Sequence, residues 1–407
     1  MTIRMDSLIN AITTALDTVE KELLGASTNH GKRIAILCAK MGKQLGKNID
    51  EIRGLTNCAL LHDNALTEYI LASGGHYDST MKKHCEYGQR NVDILNFNTN
   101  IKDFILYHHE RADGKGPYGI YEGKGPIEAE LIAIADSIDV AYHLQTIKKD
   151  NLNNVVQIIK DEKGKKYSKI AAETMLDVMD FHTIESLRDE VINETSSIFL
   201  TPWLLDIEDK VIFNLVKFIT RIIDYKSNFT KHHSTQIANI AWFMGEYYKY
   251  NKTEKSKLYL AAALHDIGKL ETPSAILEKP GKLTDEEYII IKEHVRKTWE
   301  LLKSIDGFQD ICAWASNHHE KLNGKGYPFA KNADELDFNS RLMSCIDVYQ
   351  AVSETRPYHP KRDHKSSMEI LYKMADEGAL DIKIVNDLSI ALAPFDANGL
   401  PPPKDDN

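Results

Sequence analysis

The chain has 407 residues, of which 43% are hydrophobic, so it is long enough to bury two ordinary cores. Its formal net charge of -10 supplies no general basic surface, which argues against extended binding to DNA or RNA and leaves a small phosphorylated ligand open. Five scattered cysteines without a close CxxC pair argue against a zinc ribbon and against a disulfide framework.

The N-terminal segment is polar, and charged or polar residues interrupt the longest apolar stretches. We therefore expect a cytoplasmic protein without a membrane segment. From Leu8 onwards apolar residues recur at helical spacing, whereas alternating runs of β-branched residues are few. Turn signals such as Gly74–Gly75 and Asn323–Gly324 separate these stretches. The pattern predicts an all-α fold.

An internal repeat relates the two halves of the chain. The segments ALLHD and YHHERADGKG of the first half match AALHD and NHHEKLNGKG of the second. The histidines keep the same register in both halves, with separations of 32 and 24 positions. The pairs at 32 positions are His30 with His62 and His233 with His265, and those at 24 are His84 with His108 and His294 with His318. Two tandem helical-bundle domains are predicted, at residues 1–197 and 198–396, followed by a disordered tail at 397–407.

Imidazole and carboxylate groups occupy the repeated positions of the second half. His265 and Asp266 adjoin at the end of an apolar helix, where they can bind neighbouring metal ions at once, so Asp266 is the natural bridge. Nitrogen and oxygen donors without thiolate argue against a purely structural zinc and suit Fe, Mn, Ni, Co or Zn, of which we favour Fe or Mn. We expect two divalent transition metals at seven residues: His233, His265, Asp266, His294, His318, His319 and Asp347.

Lys269 lies four residues after His265, and a continuous helix would direct it along the same face toward the metals. There it could hold a phosphate oxygen or protonate a leaving group. Because paired metals activate water and neutralise phosphate oxygens, in-line hydrolysis of a phosphodiester is the chemistry that this set suits best. Asp266 and Lys269 are the predicted catalytic residues.

The second half resembles the HD-GYP phosphodiesterases over roughly Asn228 to Pro360. The motifs that carry the resemblance are HDIGK at His265, His294, HHEKLNGKGYP from His318 to Pro328, Asp347, and RPY at Arg356. The resemblance implies two HD-type helical bundles in tandem. It also implies hydrolysis of a bacterial cyclic dinucleotide, cyclic di-GMP or 3′,3′-cyclic GMP-AMP, to a linear dinucleotide, with mononucleotides left open as a further product.

The same resemblance implies roles for individual residues. Asp266 would bridge the two metals, and Lys269 and Arg356 would bind substrate phosphate. One metal would be held by His233, His265 and Asp347, and the other by His294, His318 and His319.

Three positions depart from the family pattern. Some members have a glutamate four residues before the first histidine, where it binds a third metal. Phe229 stands there in this chain, so we predict a dinuclear site. Asn323 replaces the usual aspartate of the loop, and His359 stands where a basic residue often helps to bind the substrate.

The first half is predicted to be a degenerate HD-GYP-like copy that keeps every metal-ligand position. Leu66 occupies the position of Lys269, Gln145 that of Arg356, and GKGPYG replaces the GYP order. We expect this copy to be regulatory or structural, while a second active site for a narrower nucleotide substrate stays open. Its predicted metal ligands are His30, His62, Asp63, His84, His108, His109 and Asp136.

Two other functions stay open at this point. One is a non-catalytic sensor that binds a cyclic dinucleotide in the metal pocket, and the other is an HD-superfamily nucleotide phosphohydrolase. The expected partner is the cyclic dinucleotide itself. A signalling protein bound through the Tyr327–Pro328 loop and a homodimer are open as well, and the loop could equally serve only as a turn.

Overall fold

The computed structural model describes residues 2–73, 81–95, 97, 99–200, 202–206, 208–227, 232–354, 362–395 and 400–403. Helices dominate these residues, which confirms the all-α prediction; the strands β1 (Thr2–Arg4) and β2 (Leu204–Asp206) form a small two-stranded sheet. The chain divides into two compact units, Arg4–Leu205 and Asp206–Asn407 together with Met1–Ile3. The predicted boundary between residues 197 and 198 lies a few residues before this division.

The first unit contains a short 3₁₀ helix at Leu144–Thr146 in addition to its α-helices. The α-helices are α1 (Met5–Leu24), α2 (His30–Gln44), α3 (Ile49–Leu60), α4 (Leu66–Ala72), α5 (Lys82–Val92), α6 (Ile127–Tyr142), α7 (Lys149–Glu162), α8 (Lys169–Val178), α9 (Phe181–Ser186) and α10 (Ile192–Phe199).

The second unit contains two 3₁₀ helices, Ile267–Glu271 and Ala333–Glu335. Its α-helices are α11 (Asp209–Asp224), α12 (His233–Tyr247), α13 (Lys252–Leu264), α14 (Ser274–Leu277), α15 (Asp285–Leu302), α16 (Gln309–Ser316), α17 (Phe338–Ser353), α18 (His364–Asp376) and α19 (Ile382–Ala391).

Equivalent caps begin equivalent helices in the two units. The Asn48 side chain accepts hydrogen bonds at the start of α3, and the Glu51 side chain accepts one from the Asn48 backbone. Asn251 and Glu254 form the same capping box at the start of α13. Because a capping box satisfies backbone N–H groups that the helix leaves unpaired, it fixes where the helix begins. The histidine–aspartate pair that follows each helix is therefore delivered in the same register.

Helix α13 lies in the core of the second unit. Its last seven residues, from Leu258 to Leu264, are all buried, and it packs against α11, α12 and α16. A helix that is apolar on every side is stable only when neighbours surround it. The C-terminal end of this buried helix places His265 and Asp266 inside the unit rather than on its surface.

None of the helices in the described ranges combines the length and apolar composition needed to cross a membrane. Of the predicted tail at 397–407, residues 400–403 are described. Leu400 is buried there, and its carbonyl oxygen accepts a hydrogen bond from Asn239 Nδ2 at 3.5 Å. The predicted turn at Gly74–Gly75 lies outside the described residues.

Candidate metal centre

The second unit brings all seven of its predicted metal ligands into one buried cluster. His233 is the first residue of α12, and His265 and Asp266 follow the end of α13. His294 lies on α15, Asp347 lies on α17, and His318 with His319 occupy the turn after α16. Residues from five segments of the bundle therefore meet at one point.

Asp266 lies between two groups of imidazoles. Its Oδ2 atom lies 3.2 Å from Nε2 of His265 and 3.8 Å from Nε2 of His233. Its Oδ1 atom lies 3.2 Å from Nε2 of His294 and 3.8 Å from Nε2 of His318. Each carboxylate oxygen faces a different group, which is the arrangement that a carboxylate bridging two cations requires.

Asp347 adjoins both groups. Its Oδ1 atom lies 3.6 Å from Nε2 of His233, and its Oδ2 atom lies 3.6 Å from Nδ1 of His319. Within each group the potential ligand atoms all lie within 4.8 Å of one another. The first group consists of His233, His265 and Asp347, and the second of His294, His318 and His319. This division is the one that the family resemblance implies.

Backbone carbonyl groups orient three of the imidazoles. Nδ1 of His265, His294 and His318 donates to the carbonyl oxygen three residues earlier, at 2.7, 2.5 and 2.6 Å respectively. A carbonyl oxygen can only accept, so Nδ1 carries a proton, and in the neutral ring Nε2 then presents its lone pair. Fixing the tautomer in this way is how proteins commonly prepare histidines for metal binding.

Carboxylates orient the first histidine of each copy from different positions. In the second copy Nδ1 of His233 lies 3.0 Å from Oε1 of Glu354. In the first copy Nδ1 of His30 lies 2.7 Å from Oδ2 of Asp139, whose Oδ1 accepts from Nε of Arg33 at 2.8 Å. Neither Glu354 nor Asp139 is among the site residues predicted from the sequence. Both would hold Nδ1 of the imidazole and leave Nε2 directed at the cluster.

Burial and neighbouring charges set the protonation states in the second copy. Burial holds the pKa of His318 well below its usual value and lowers the pKa of His319 to about 3. Burial acts to raise the pKa of Asp266 and Asp347, but the surrounding imidazoles, and Lys269 in the case of Asp266, outweigh it and hold both pKa values below their usual range. Neutral imidazoles and ionised carboxylates are the forms that bind metals.

Two buried polar atoms of this cluster lack hydrogen bonds. Nε2 of His265 and Oδ1 of Asp266 are both inaccessible to water and have no hydrogen-bond partner among the described residues. A buried polar atom without a partner costs about 1–3 kcal/mol. Cations bound between these atoms would satisfy them, so the cluster has the donor set, the protonation states and the unfilled contacts that suit metal ions.

Lys269 lies beside the bridging position. Its Nζ atom lies 2.5 Å from Oδ2 of Asp266, and its side chain is 18% exposed. The sequence predicted that Lys269 shares a continuous α-helical face with His265. This was wrong, because α13 ends at Leu264 and Lys269 belongs to the 3₁₀ helix Ile267–Glu271. The tighter turn, rather than a continuous α-helical face, brings the ammonium group to the carboxylate.

Gly268 allows this turn to pack against α15. A Cβ atom on Gly268 would lie 2.0 Å from the carbonyl oxygen of His294. The Gly268 N–H donates to Oγ1 of Thr298 at 3.1 Å, and the same hydroxyl donates to the carbonyl oxygen of His265 at 2.9 Å. The glycine of HDIGK therefore joins the two segments that carry His265 and His294.

Replacing Gly268 with alanine is expected to destabilise the protein by about 1–3 kcal/mol, because the added methyl group forces backbone to move in a packed interior. Urea unfolding followed by circular dichroism measures the change. Gly281→Ala is the matched control, since a Cβ atom there meets nothing within 4 Å. Equal stability of the two variants would refute the close packing described above.

The loop after His319 carries Tyr327 to the metal cluster. The buried Glu320 carboxylate accepts from the backbone N–H groups of Phe329 at 2.7 Å and Lys331 at 3.0 Å. The ring of Tyr327 lies 4.9 Å from that of His319, measured between centroids. Sequence reasoning considered this tyrosine only as a turn or partner contact and missed its position beside a metal-ligand candidate.

The first unit brings its own seven predicted ligands together in two similar groups. Oδ1 of Asp63 lies 2.8 Å from Nε2 of His84, and Oδ2 lies 3.7 Å from Nε2 of His62. Oδ1 of Asp136 lies 3.3 Å from Nε2 of His30. The groups are Asp63, His84, His108 and His109, and His30, His62 and Asp136.

Two features that border the metal cluster of the second copy differ in the first: the residue at the position of Lys269 and the loop after the paired histidines. The side chain at the position of Lys269 is Leu66, which is fully buried and has no charge to offer. In its loop, Glu110 accepts from the backbone N–H of Tyr118, as Glu320 accepts from that of Phe329. The bonded N–H lies eight residues after Glu110 but nine residues after Glu320, so the loop of the first copy is one residue shorter.

Of the remaining predicted positions, the structure describes Gln145 and Asn323. Arg356, His359 and Phe229 lie outside the described residues. Gln145 lies in the 3₁₀ helix of the first unit, where its carbonyl oxygen accepts from Nη1 of Arg188 at 3.4 Å. Asn323 lies on the surface, with its Nδ2 donating to the carbonyl oxygen of Glu377 at 3.2 Å.

Comparison with known proteins identifies related domains in both units. Two family models, each described as an HD domain, match residues 28–141 and 217–384. The Vibrio cholerae protein named 3′3′-cGAMP-specific phosphodiesterase 1 is 28% identical over 397 residues, which cover 92% of this chain and 88% of the relative. The Xanthomonas campestris cyclic di-GMP phosphodiesterase response regulator RpfG is 31% identical over 156 residues, covering 38% of this chain and 41% of the regulator.

A solved structure shares the fold over nearly the whole chain. It is described as a crystal structure of cyclic GMP-AMP specific phosphodiesterases in V. cholerae (V-cGAP3). The match has a TM-score of 0.66 and 21% sequence identity, and it covers 96% of this chain and 98% of that chain. At this identity the likeness establishes the fold.

Proposed function

This chain is a tandem HD-domain protein of the HD-GYP type, and from that premise we propose that its C-terminal copy is a metal-dependent phosphodiesterase acting on a cyclic dinucleotide. The proposed substrate is cyclic di-GMP or 3′,3′-cyclic GMP-AMP, and the proposed product is the linear dinucleotide. Relatives named for each of these substrates support the class. The observation that carries the proposal is the position of Asp266, whose two oxygens face two separate groups of imidazoles.

The cluster would hold two divalent transition metals, for which we favour Fe or Mn. Bound in this way, the pair would activate a water molecule and neutralise charge on the phosphate. Asp266 would join the two halves of the site, and His318, whose pKa burial holds well below its usual value, would present Nε2 without first losing a proton. His319, which is 28% exposed, lies at the open side where the substrate would enter.

Lys269 would change partner during the reaction. Its ammonium group contacts Asp266, whose charge would be shared with the metals once they are bound. The lysine can then turn to a non-bridging phosphate oxygen or donate a proton to the departing oxygen. Arg356 is proposed as a second phosphate-binding residue on the strength of the family motif alone.

The N-terminal copy is proposed to bind metal and to be regulatory or structural. Its clusters repeat the two-group arrangement, which supports metal binding. The buried Leu66 stands at the position of Lys269, which removes a side chain that would contact the substrate phosphate. Cytoplasmic location, homodimerisation and a signalling partner for the Tyr327–Pro328 loop stay predictions.

The test is turnover by the purified full chain loaded anaerobically with Fe(II) or with Mn(II). Cyclic di-GMP and 3′,3′-cyclic GMP-AMP are supplied separately, and nucleoside monophosphates serve as the alternative substrates. The expected result is a linear dinucleotide from at least one cyclic substrate. Binding without product would instead favour the sensor, and release of phosphate from monophosphates alone would favour the nucleotide phosphohydrolase.

A further inference from the structure

A basic and aromatic cluster borders the C-terminal metal centre on the side of His319. It consists of Tyr288 and Lys292 from α15 and Tyr327 from the loop. The Tyr327 ring lies 4.9 Å from the His319 ring. Nζ of Lys292 lies 5.0 Å from the ring centroid of Tyr288 and 5.6 Å from that of Tyr327. The three side chains extend outward from a metal-ligand candidate to the surface.

Exposure and charge set this cluster apart from the hydrophobic core. Tyr288 is 48% exposed, and the next two residues of α15, Ile289 and Ile290, are 58% and 41% exposed. Within the described part of the chain, Lys292 makes no ion pair with a carboxylate, and only aromatic rings contact its ammonium group. An ammonium group that contacts only aromatic rings can still attract an anionic ligand, because no carboxylate neutralises its charge.

The first copy keeps only part of this arrangement. Lys82 stands two residues before His84, as Lys292 stands two before His294, and its ammonium group lies 4.7 Å from the ring centroid of Tyr118. Tyr118 follows Glu110 by eight residues and Tyr327 follows Glu320 by seven, so different loop positions supply the two rings. In the sequence Asp78 stands six residues before His84, where Tyr288 stands six before His294, so the first copy has no tyrosine at the position of Tyr288.

We propose that Tyr288, Lys292 and Tyr327 form a subsite for one nucleotide unit of the cyclic dinucleotide. This inference rests on the proposed function. A cyclic dinucleotide carries two bases and two phosphates, and only one phosphodiester can occupy the metal centre at a time. The rest of the cyclic dinucleotide must then lie on the protein surface next to the metal centre. There an aromatic ring can stack on either base, and a lysine can attract the second phosphate.

The test compares Lys292→Ala and Tyr288→Ala with the wild-type full chain. Each variant is expected to raise KM for the cyclic dinucleotide about tenfold, while kcat and metal content change much less, because neither side chain belongs to the metal centre. Lys303→Ala is the matched control, since Lys303 also lies over a ring of α15, that of Trp299 at 4.1 Å, and is not part of the proposed subsite. Tyr288→Phe keeps the ring and should recover most of the affinity that Tyr288→Ala loses.

Equilibrium binding to the chelator-treated protein provides a readout that needs no turnover. Calorimetry with the cyclic dinucleotide should give a weaker Kd for Lys292→Ala than for Lys303→Ala. Unchanged KM and Kd in an active enzyme would overturn the subsite and leave the phosphodiesterase intact. A wild-type chain that binds without product would overturn the phosphodiesterase, and the two Kd values would still decide the subsite.

Discussion

Asp266→Asn is expected to lower kcat/KM for the cyclic dinucleotide by at least about a thousandfold, which corresponds to roughly 4 kcal/mol of lost transition-state stabilisation. The carboxylate has one oxygen toward His265 and the other toward His294, at 3.2 Å in each case. Asparagine keeps the shape but replaces one oxygen with an N–H₂ group, which cannot bind a metal, and it removes the negative charge. Steady-state kinetics and metal analysis of the purified variant measure both consequences.

Asp63→Asn is the matched control for this prediction. Asp63 is also buried and follows its histidine at the end of the equivalent helix in the first copy. Because that copy has Leu66 instead of a lysine, the control is expected to retain turnover within a few fold while losing metal from the N-terminal cluster. If Asp63→Asn were inactive and Asp266→Asn active, catalysis would belong to the other copy.

Lys269→Met is expected to lower kcat/KM about a hundredfold while leaving the metal content unchanged, within the range attributed to a positioned general acid. Lys269 contacts the Asp266 carboxylate without being a metal ligand, so its loss removes a charge for the phosphate and spares the cation site. Methionine keeps a side chain of similar length and lacks the ammonium group. Kinetics with the cyclic dinucleotide and elemental analysis separate the two effects.

Lys279→Met controls for the loss of any ion-paired lysine in this unit. Nζ of Lys279 lies 2.6 Å from Oε2 of Glu287, and neither residue is a predicted metal ligand, so the variant should keep the metal content and kcat of the wild type. A Lys269→Met enzyme with unchanged kcat/KM would show that the lysine only neutralises Asp266 in the metal-free protein.

The metal-ligand candidates named from the sequence lie together in the structure because their register follows from helical spacing repeated in two halves. His30 and His233 both begin a helix, and His62 and His265 both follow one, so equal separations along the chain become equal positions in space. The buried helices between them are capped by equivalent residues, which keeps the register from slipping. Helical periodicity and caps are local properties, and a single sequence displays them.

The residues that surround the metal-ligand candidates could not be predicted from the repeated helical spacing. Glu354 reaches His233 from the end of α17, whereas Asp139 reaches His30 from within α6, so no shared spacing marks the two carboxylates. Tyr327 lies beside His319 in a loop whose shape depends on a hydrogen bond between residues nine positions apart, from the Phe329 N–H to the Glu320 carboxylate. Such contacts depend on tertiary packing and have no signature in the periodicity.

Lys269 lies beside Asp266 for a different structural reason from the one that the spacing predicted. Helical spacing placed it beside His265, but the α-helix has ended by then and a 3₁₀ turn carries the lysine to Asp266 instead. That turn depends on Gly268, whose lack of a side chain lets it pack on the His294 carbonyl. Sequence spacing alone does not separate an α-helix from a 3₁₀ helix that follows it.

The number of metal ions bound per chain tests directly whether the predicted ligands of the second unit hold two cations. The measurement is elemental analysis of the full chain after anaerobic reconstitution, with the first cluster disabled by His62→Ala and His108→Ala. We expect about two bound transition-metal ions per chain, both held by Asp266 and the six other predicted ligands of the second unit. A correctly folded chain that binds none under Fe(II) or Mn(II) would contradict this expectation.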